Sequence, residues 1–337
     1  MISDERDGCF GQKDVYLTLE NDARHCAQTY DLKNMNTIDN MREAMRRLLI
    51  TVIIICLSGA NAGCIYGQQS QQKGNQRLKV GLVLGGGGAK GAAEVGVLKV
   101  IEEVGIPIDY IAGTSIGAIN GGLYSLGYDA AGLDSLFQNQ DWLKLFTKGS
   151  ILDMLIEKTG ITDSISFDDM PIPFRCVAVD TKTQQEIVLS SGCPAVAMRA
   201  SMAIPGAFKP VKIDTLVLVD GGMLNNLPVD VVKAMGADVV IAVDLTQNKR
   251  EARDKKMFGI TKLGKLISWT IARPDLKKYN ENVVNVDVYI NPDLDGYKAM
   301  SFKKKKIAEM IDIGYEAGDE CRDELLQLKE LVMQGKR

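Results

Sequence analysis

A serine flanked by glycines is the first feature of this 337-residue chain that could carry chemistry. The segment Gly113-Thr-Ser-Ile-Gly117 has the spacing G-x-S-x-G, between an apolar strand-like run (Ile108–Ala112) and a small-residue helix-like run (Ile116–Leu126). In this context the pattern is typical of a nucleophile elbow, a crowded turn that lifts the serine hydroxyl above a sheet. It predicts Ser115 as a nucleophile. The alternative is a chance match, with Gly113 as a turn residue and Ser115 as a helix N-cap.

A glycine-rich segment, Gly85-Gly-Gly-Gly-Ala-Lys-Gly91, lies between the apolar run Lys79–Leu84 and a helical pattern over Ala89–Val104. Glycine lets the backbone turn tightly and leaves its N–H groups open. Open N–H groups at the start of a helix stabilise negative charge. Two alternatives fit this segment by itself, a dinucleotide-binding turn of the G-x-G-x-x-G type and a close-packed turn without a ligand.

An acidic residue follows a third apolar run. Asp220 comes directly after Leu216–Val219 and is followed by Gly221 and Gly222. An acid at the carboxyl edge of a sheet strand points into the crevice where α/β proteins place their sites. The two glycines would let a substrate or Ser115 approach this acid. The alternative is an Asp-Gly β-turn without a catalytic role.

Histidine usage restricts the chemistry of these residues. His25 is the only histidine, and it lies upstream of a segment that we expect to be removed. This excludes a Ser-His-Asp triad, a Cys-His pair and a His-ligated metal site in the mature protein. No motif of the chain indicates a metal or a cofactor, and we expect neither. The seven cysteines show no CxxC pair and no metal-ligand spacing. The net charge of −3 argues against nucleic acid as a partner, because phosphate binding needs a basic excess.

Alternating strand and helix patterns must position these residues. The fully apolar runs at 216–219 and 239–243 are typical of buried parallel strands. Residues 174–179 and 187–189 are further strand candidates, and 228–235 predicts a helix with proline in its first turn. The alternation predicts an α/β fold of three layers, with a mainly parallel sheet and helices on both faces.

The three motifs, in this order, resemble those of the patatin-like phospholipase family, and we expect a bacterial member. The likeness covers roughly residues 79–245 and includes Ala200-Ser-Met-Ala-Ile-Pro205. It implies a three-layer patatin-like fold related to α/β hydrolases. It also implies a Ser–Asp dyad that works without histidine, in agreement with the histidine count.

The resemblance assigns a role to each motif. Ser115 would attack a lipid acyl ester with Asp220 as general base, and Gly87 and Gly88 would bind the oxyanion while Gly86 shapes the turn. The other motif glycines are Gly91, Gly113, Gly117, Gly221 and Gly222. The implied partners are a phospholipid or other lipid ester substrate and a membrane surface, bound peripherally, and the implied process is lipid degradation. The competing hypotheses are an inactive lipid-binding module and a nucleotide-binding oxidoreductase.

The N-terminal part differs in composition from the rest. A basic stretch from Met41, ten mostly apolar residues at 48–57 and a small-residue segment ending at Ala62 are typical of a secretory signal peptide. We therefore expect translation to begin at Met41 or Met45 and the protein to be exported, periplasmic or outer-membrane associated. The alternative is a short anchor or a buried helix that follows a true N-terminal domain. Acylation at Cys64 is a weaker alternative, because lipoprotein signals usually carry leucine where this chain has Asn61.

Four regions follow from this composition. We expect an N-terminal extension and signal peptide over 1–62, a linker over 63–77, a catalytic domain over 78–248 and a mainly helical extension packed on it over 249–337. Residues 249–278 carry ten Lys/Arg against three acidic residues, a charge of 10 − 3 = +7. An apolar stripe that includes Trp269 accompanies these charges, which predicts docking on lipid surfaces. The alternative is a stripe packed on the core.

Overall fold

A computed structural model describes residues 77–142, 144–145, 150–246 and 276–335. All of these residues fall within the unit formed by residues 73–337. The predictions about the signal peptide (41–62), His25, Cys64 and most of the basic segment 249–278 lie outside the described residues.

The helices and strands alternate along the chain, as the sequence pattern predicts. In chain order they are β1 (Val80–Leu84), α1 (Ala92–Val104), β2 (Tyr110–Thr114), α2 (Ile116–Ser125), α3 (Ala130–Asn139), α4 (Ile151–Thr159), β3 (Ile165–Ser166), β4 (Phe174–Asp180), β5 (Gln185–Leu189), β6 (Ser191–Gly192), α5 (Pro194–Ser201), β7 (Val211–Ile213), β8 (Leu216–Asp220), α6 (Val229–Met235), β9 (Val239–Val243), α7 (Leu276–Val283), β10 (Val288–Ile290), α8 (Lys304–Glu320) and α9 (Arg322–Gln334).

One eight-stranded sheet organises the described part of the chain. Its strand order is β10-β9-β1-β2-β4-β8-β7, and β5 pairs with β4. The neighbours from β10 to β4 are all parallel, whereas the pairs β4–β5, β4–β8 and β7–β8 are antiparallel. The predicted mainly parallel sheet is therefore confirmed.

Both faces of the sheet are buried, each against its own helices. On β1, Leu82 and Leu84 join the apolar core that includes residues of α1, α2, α5 and α8. The intervening Val83 joins a second core with Ala112, Val240 and residues of α6 and α7. Because successive strand residues point to opposite faces, a strand covered on both sides is apolar at every position. The three-layer prediction is thus confirmed.

Strand β8 does not run in the predicted direction. Leu216–Val219 was expected to be parallel, but β8 is antiparallel to both β4 and β7, so that prediction was wrong. A continuous apolar run reports burial on both faces and carries no information about strand direction.

The direction of β8 brings two strand ends together. One edge of β4 pairs with β5 over Cys176–Asp180, so β2 and β8 share the other edge. On that edge β2 ends with Thr114 opposite Val177, and β8 ends with Asp220 opposite Ala178. The carboxyl ends of β2 and β8 therefore meet head to head beside β4.

The C-terminal helices pack directly on α1. A Cβ at Gly314 of α8 would lie 1.9 Å from the carbonyl oxygen of Ala93, and one at Gly96 would lie 2.0 Å from that of Ile311. Helix α9 is tied to the same region, since the Lys329 ammonium donates to the Val104 carbonyl at 2.7 Å. None of the helices within the described ranges is both long and apolar enough to span a bilayer. The four predicted domain boundaries stay a prediction.

Candidate active site

Ser115 occupies a sharp turn between β2 and α2. Its backbone angles, φ 57° and ψ −120°, lie in a sparsely populated region for a residue with a side chain. The Ser115 N–H donates to the Ser201 hydroxyl at 2.9 Å, and this hydroxyl donates to the Val177 carbonyl at 2.6 Å. Strand β2 extends to Thr114, two residues beyond the predicted end, so the serine follows the strand directly. The turn is the strained elbow that the G-x-S-x-G spacing predicts.

Two glycines allow the chain to fold this tightly. A Cβ at Gly113 would lie 2.3 Å from the carbonyl oxygen of Gly117, and one at Gly117 would lie 2.2 Å from that of Leu84. Both obstacles are backbone atoms, which cannot move aside like the end of a side chain. The spacing of the motif thus reflects the close approach of β1, β2 and α2.

The structure brings Ser115 and Asp220 together from positions 105 residues apart. The Ser115 hydroxyl donates to Asp220 Oδ2 at 2.7 Å, and Asp220 Oδ1 accepts from the Gly222 N–H at 2.8 Å. Both side-chain sites are enclosed, with residue exposures of 6% for Ser115 and 2% for Asp220. Gly221 lies against the Val177 carbonyl, where β4 passes the site. The two carboxylate oxygens are therefore divided between the nucleophile and a backbone donor.

Burial changes the acidity of Asp220. Loss of water raises the pKa of Asp220 from 3.8 to about 6, although the hydrogen bonds from Ser115 and Gly222 act to lower it. A carboxylate with this pKa is a stronger base than an exposed aspartate and is still ionised at neutral pH. Because His25 is the only histidine of the chain, no histidine lies among the described residues. The Ser115 hydroxyl thus faces a carboxylate directly.

The glycine-rich loop lies beside the elbow. Some of its backbone N–H groups donate hydrogen bonds to other parts of the chain, and others are open. The Gly86 N–H donates to the Asn226 carbonyl at 3.2 Å, and the Asn226 side-chain amide donates to the Gly86 carbonyl at 3.0 Å. The Ala89 N–H donates to the Ala299 carbonyl at 2.8 Å. Within the described ranges the N–H groups of Gly87 and Gly88 have no acceptor. These two N–H groups are thus open beside Ser115, where the sequence predicts an oxyanion site.

Backbone conformation and close packing explain why glycine occupies two positions of this loop, Gly88 and Gly91. Gly88 has a positive φ of 62°, which favours glycine. Gly91 ends the 3-10 turn Gly88–Gly91 and lies against Ile116, the first residue of α2. The glycine-rich loop and the elbow are thus in direct contact. Asn226, which holds the loop, was missed from the sequence, and its polar type alone gave no signal. Ser201, which holds the elbow, lies in the segment Ala200–Pro205 that carries part of the resemblance, but its role was not predicted.

An apolar cleft opens onto Ser115 and Gly88. Its other lining residues are Ile116, Met202, Ile204, Phe208, Ala299, Met300 and Phe302. Its volume is about 20 Å³, which is room for about one water molecule, so an acyl chain must displace some of these side chains. Among these side chains we expect Met300 to move aside most easily, because it is 53% exposed. The segment between β10 and α8 thus lines one side of the cleft, and the glycine-rich loop and the elbow line the other.

Two observations bear on other sites. The described residues contain no group of three or more His, Cys, Asp or Glu side chains that could hold a metal ion. A larger polar cavity of about 630 Å³ lies between α6 and α7 and is lined in part by Lys233, Lys278 and Glu281. It includes neither Ser115 nor Asp220, so it is separate from the candidate site.

Comparison with known proteins places these features in a family context. Residues 82–233 match the family model described as "Patatin-like phospholipase". Patatin-like phospholipase domain-containing protein 7 of Mus musculus is 31% identical over 278 residues, covering 71% of this chain and 20% of the relative. Lysophospholipase nte1 of Aspergillus fumigatus is 31% identical over 309 residues, covering 77% of this chain and 20% of the relative. These matches support the patatin-like phospholipase family.

The matches cover only part of each relative's length. This chain spans about a fifth of the length of the curated relatives that it matches. Both relatives are eukaryotic, and the expected bacterial origin stays a prediction. Among solved structures, VipD from Legionella pneumophila aligns with a TM-score of 0.43 at 14% identity, over 73% of this chain and 67% of that chain. ExoU in its complex with SpcU from Pseudomonas aeruginosa aligns with a TM-score of 0.44 at 15% identity, over 74% and 52%.

Proposed function

We propose that this chain, with its patatin-like phospholipase domain over residues 82–233, is a serine esterase that hydrolyses the acyl esters of lipids. The observation that carries the proposal is the 2.7 Å hydrogen bond from the Ser115 hydroxyl to Asp220, made at a strained elbow beside two open backbone N–H groups. A nucleophile, a base with raised pKa and an oxyanion site are the three parts that acyl transfer needs.

The proposed reaction has two stages. Asp220 takes the proton of the Ser115 hydroxyl as Ser115 Oγ attacks the ester carbonyl, and the N–H groups of Gly87 and Gly88 bind the oxyanion. The leaving alcohol receives the proton from Asp220, and the acyl group stays on Ser115. Water then attacks the acyl-enzyme with Asp220 again as base, which releases the fatty acid and restores the serine.

The lining of the cleft supports a lipid substrate. Met202, Ile204 and Phe208 present only apolar or aromatic groups beside Ser115, and apolar surfaces of this kind bind acyl chains through the hydrophobic effect. We therefore propose phospholipids and lysophospholipids as the substrate class, with lipid degradation as the process served.

The acidic residue that the oxidoreductase hypothesis requires is not at the expected end of the strand. A dinucleotide site needs an acid at the carboxyl end of the strand that follows the glycine-rich turn. Asp109 has the right spacing but precedes β2, where its carboxylate accepts from Arg77 at 2.6 and 2.8 Å and from Lys79 at 3.0 Å. This acid is thus engaged at the opposite end of the sheet from Ser115.

The test of the proposed function is hydrolysis of a panel of phospholipids and a soluble ester by the wild type, Ser115→Ala and Asp220→Asn. We expect both substitutions to abolish hydrolysis while circular dichroism remains that of the wild type. A fluorophosphonate probe should label Ser115 in the wild type only. A folded wild type that neither hydrolyses an ester nor reacts with the probe would favour the inactive lipid-binding module.

Peripheral association with membranes is part of the proposal, and the described residues offer a surface for it. Met300 lies at the mouth of the cleft and is 53% exposed, and Lys303–Lys305 follow it as exposed residues. These lysines stand at the start of α8, whose first turn has no acidic residue, and Lys305 has the Glu309 carboxylate 3.8 Å away. Cations at this end of a helix are unfavourable, so an anion from outside the helix would stabilise them. We call Met300 and Lys303–Lys305 the cleft rim and propose that it contacts anionic lipid.

Export is the remaining part of the proposal. The support is the composition of residues 41–62, which lie outside the described residues. Mass spectrometry of the protein from its native source should find an N-terminus near Gly63 or an acylated Cys64. Recovery of a chain that still contains His25 would contradict both the signal peptide and the expectation of a histidine-free mature protein.

A further inference from the structure

A buried acid lies between the two motifs that form the candidate site. Glu94 is in the first turn of α1, three residues after Gly91, and Asn120 is in α2, five residues after Ser115. Both residues are 0% exposed. The Asn120 side-chain amide donates to Glu94 Oε2 at 2.7 Å and to the Gly91 carbonyl at 2.9 Å. One amide group thus joins the elbow helix to the end of the glycine-rich loop.

Each partner of this pair keeps one polar atom without a hydrogen bond. The two atoms are Glu94 Oε1 and Asn120 Oδ1, both buried. If Glu94 were ionised, both would be buried acceptors that make no hydrogen bond with each other, which is costly inside a protein. A proton on Glu94 Oε1 would supply a donor for Asn120 Oδ1. The carboxylic acid and the amide would then form a ring of two hydrogen bonds that satisfies all four polar atoms.

The surroundings of Glu94 also favour the neutral form. Complete burial raises the pKa of Glu94 well above its ordinary value, although hydrogen bonds from the Asn120 side chain and the Gly85 backbone act to lower it. The charged group that faces this carboxyl is Asp244, which follows β9 and raises the pKa further. Helix α2 contributes only the uncharged Asn120 to the pair, and α8 approaches α1 through Ile311 and Gly314.

We propose that Glu94 carries a proton and forms a two-bond ring with Asn120, and that this pair positions the oxyanion loop against the nucleophile elbow. The proposal rests on the function proposed above, because the loop matters only if Gly87 and Gly88 bind an oxyanion. Glu94 is a positioning residue: it contacts Asn120, and Asn120 holds Gly91. Loss of the ring would let the open N–H groups move relative to Ser115.

The test compares Glu94→Gln with Glu94→Ala in the full chain, using a soluble ester. Glutamine can make the same ring without titrating, so E94Q should keep kcat within about threefold of the wild type. Alanine leaves the Asn120 amide unpaired, so E94A should lose at least tenfold in kcat with little change in KM. The wild type should lose kcat at high pH as Glu94 ionises, and E94Q should not. Equal damage in E94Q and E94A would overturn the proposal.

A second measurement does not depend on activity. Because the folded protein holds the Glu94 proton more tightly than the unfolded chain does, the wild type should lose stability as pH rises above the ordinary pKa of 4.5. The unfolding constant of E94Q relative to the wild type should therefore decrease by up to tenfold per pH unit between pH 5 and 7. A pH-independent ratio would overturn the protonated pair. Full activity in S115A would instead contradict the proposed function and leave this stability result intact.

Discussion

The buried base predicts how the reaction responds to pH. Asp220 must be ionised to accept the Ser115 proton, and burial raises its pKa to about 6. We expect kcat/KM for a soluble ester to fall about tenfold per pH unit below pH 6. Rates measured from pH 4 to 8, with Ser115→Ala as the background control, check this. A limb centred near pH 4 would mean that Asp220 is solvated in the active protein.

The same burial predicts a cost in stability. A carboxyl with a raised pKa in the folded state favours folding when it is protonated, and this contribution is lost as pH rises from 3.8 through about 6. Asp220→Asn should therefore unfold at a higher temperature than the wild type at pH 7, and this difference should shrink towards pH 4. Thermal unfolding at both pH values tests it. An Asp220→Asn protein that is less stable at pH 7 would contradict the prediction.

A side chain added at Gly87 is expected to clash with Leu245 and to displace the glycine-rich loop. Its φ of −172° is open to any residue, but an added Cβ would lie 2.8 Å from Leu245 Cβ. Gly87→Val should lower turnover by about a hundredfold, the cost of one lost donor, and Gly87→Ala should act in the same direction. If Leu245 is the obstacle, Leu245→Gly, which removes both the Cβ at 2.8 Å and the Cδ1 at 2.9 Å, should restore at least tenfold to Gly87→Ala. Full activity in both single variants at Gly87 would remove this residue from the oxyanion hole.

The sequence predicts the candidate site residues better than the residues that support them. Ser115 and Asp220 stand out because glycines flank them at fixed spacing, and such glycines are needed where backbone segments approach closely. Ser201 and Asn226 act through hydrogen bonds that span 86 and 140 positions. Nothing local separates Asn226 from a surface position, and the resemblance over Ala200–Pro205 includes Ser201 without giving it a role. Only the fold shows what each of the two residues holds.

At the level of elements, the hydrophobic pattern predicted most of the strands. It did not predict which strands pair with each other or in which direction each one runs. Val80–Leu84 and Val239–Val243 are strands within one residue of the predicted bounds. Strand β8 has the same apolar pattern but runs antiparallel, because direction depends on which neighbours it pairs with. The three-residue β10 was missed because Val288–Ile290 is too short to show a period. Non-local pairings complete the sheet, and the pairing of β8 with β4 places Asp220 beside Ser115.

The close packing of α8 on α1 predicts a pair of contrasting variants. A Cβ at Gly314 would lie 1.9 Å from the Ala93 carbonyl oxygen, whereas one at Gly318 would first meet the side chain of Val100 at 3.1 Å. Alanine in a helix gains about 1 kcal/mol over glycine. Overpacking of a core costs about 1–3 kcal/mol, and occasionally more where backbone must move. We expect Gly314→Ala to be destabilising by about 2 kcal/mol or more and Gly318→Ala to be near neutral.

Chemical denaturation of the two variants and the wild type measures this difference. Similar stability of all three proteins would mean that α8 can shift along α1 without loss. A loss of activity in Gly314→Ala at temperatures where it remains folded would further connect the α8 position to Ala299, which caps the glycine-rich loop through the Ala89 N–H.

On the scale of the whole molecule, charge is distributed unevenly around the candidate site. The chain has a net charge of −3, yet Lys303–Lys305 form an exposed run beside the apolar mouth of the cleft. Lys306, the next residue, lies 5.6 Å from the Tyr297 ring centroid and is partly buried. A lipid hydrolase must hold its cleft against an interface, and an exposed apolar residue next to cations matches the chemistry of an anionic membrane surface.

Two basic segments are therefore candidates for docking, and equal charge changes can separate them. One variant carries Lys303→Glu, Lys304→Glu and Lys305→Glu at the cleft rim, and the other carries Lys255→Glu, Lys256→Glu and Lys262→Glu in the basic segment. Each basic residue near an anionic surface contributes about 1 kcal/mol. We expect the rim variant to bind vesicles with anionic lipid at least about a hundredfold more weakly at low salt, and to hydrolyse a soluble ester like the wild type. The segment variant serves as the matched control, and the difference should shrink as salt screens the charges. Unchanged vesicle binding by the rim variant, with a loss in the segment variant, would assign docking to residues 249–278 instead.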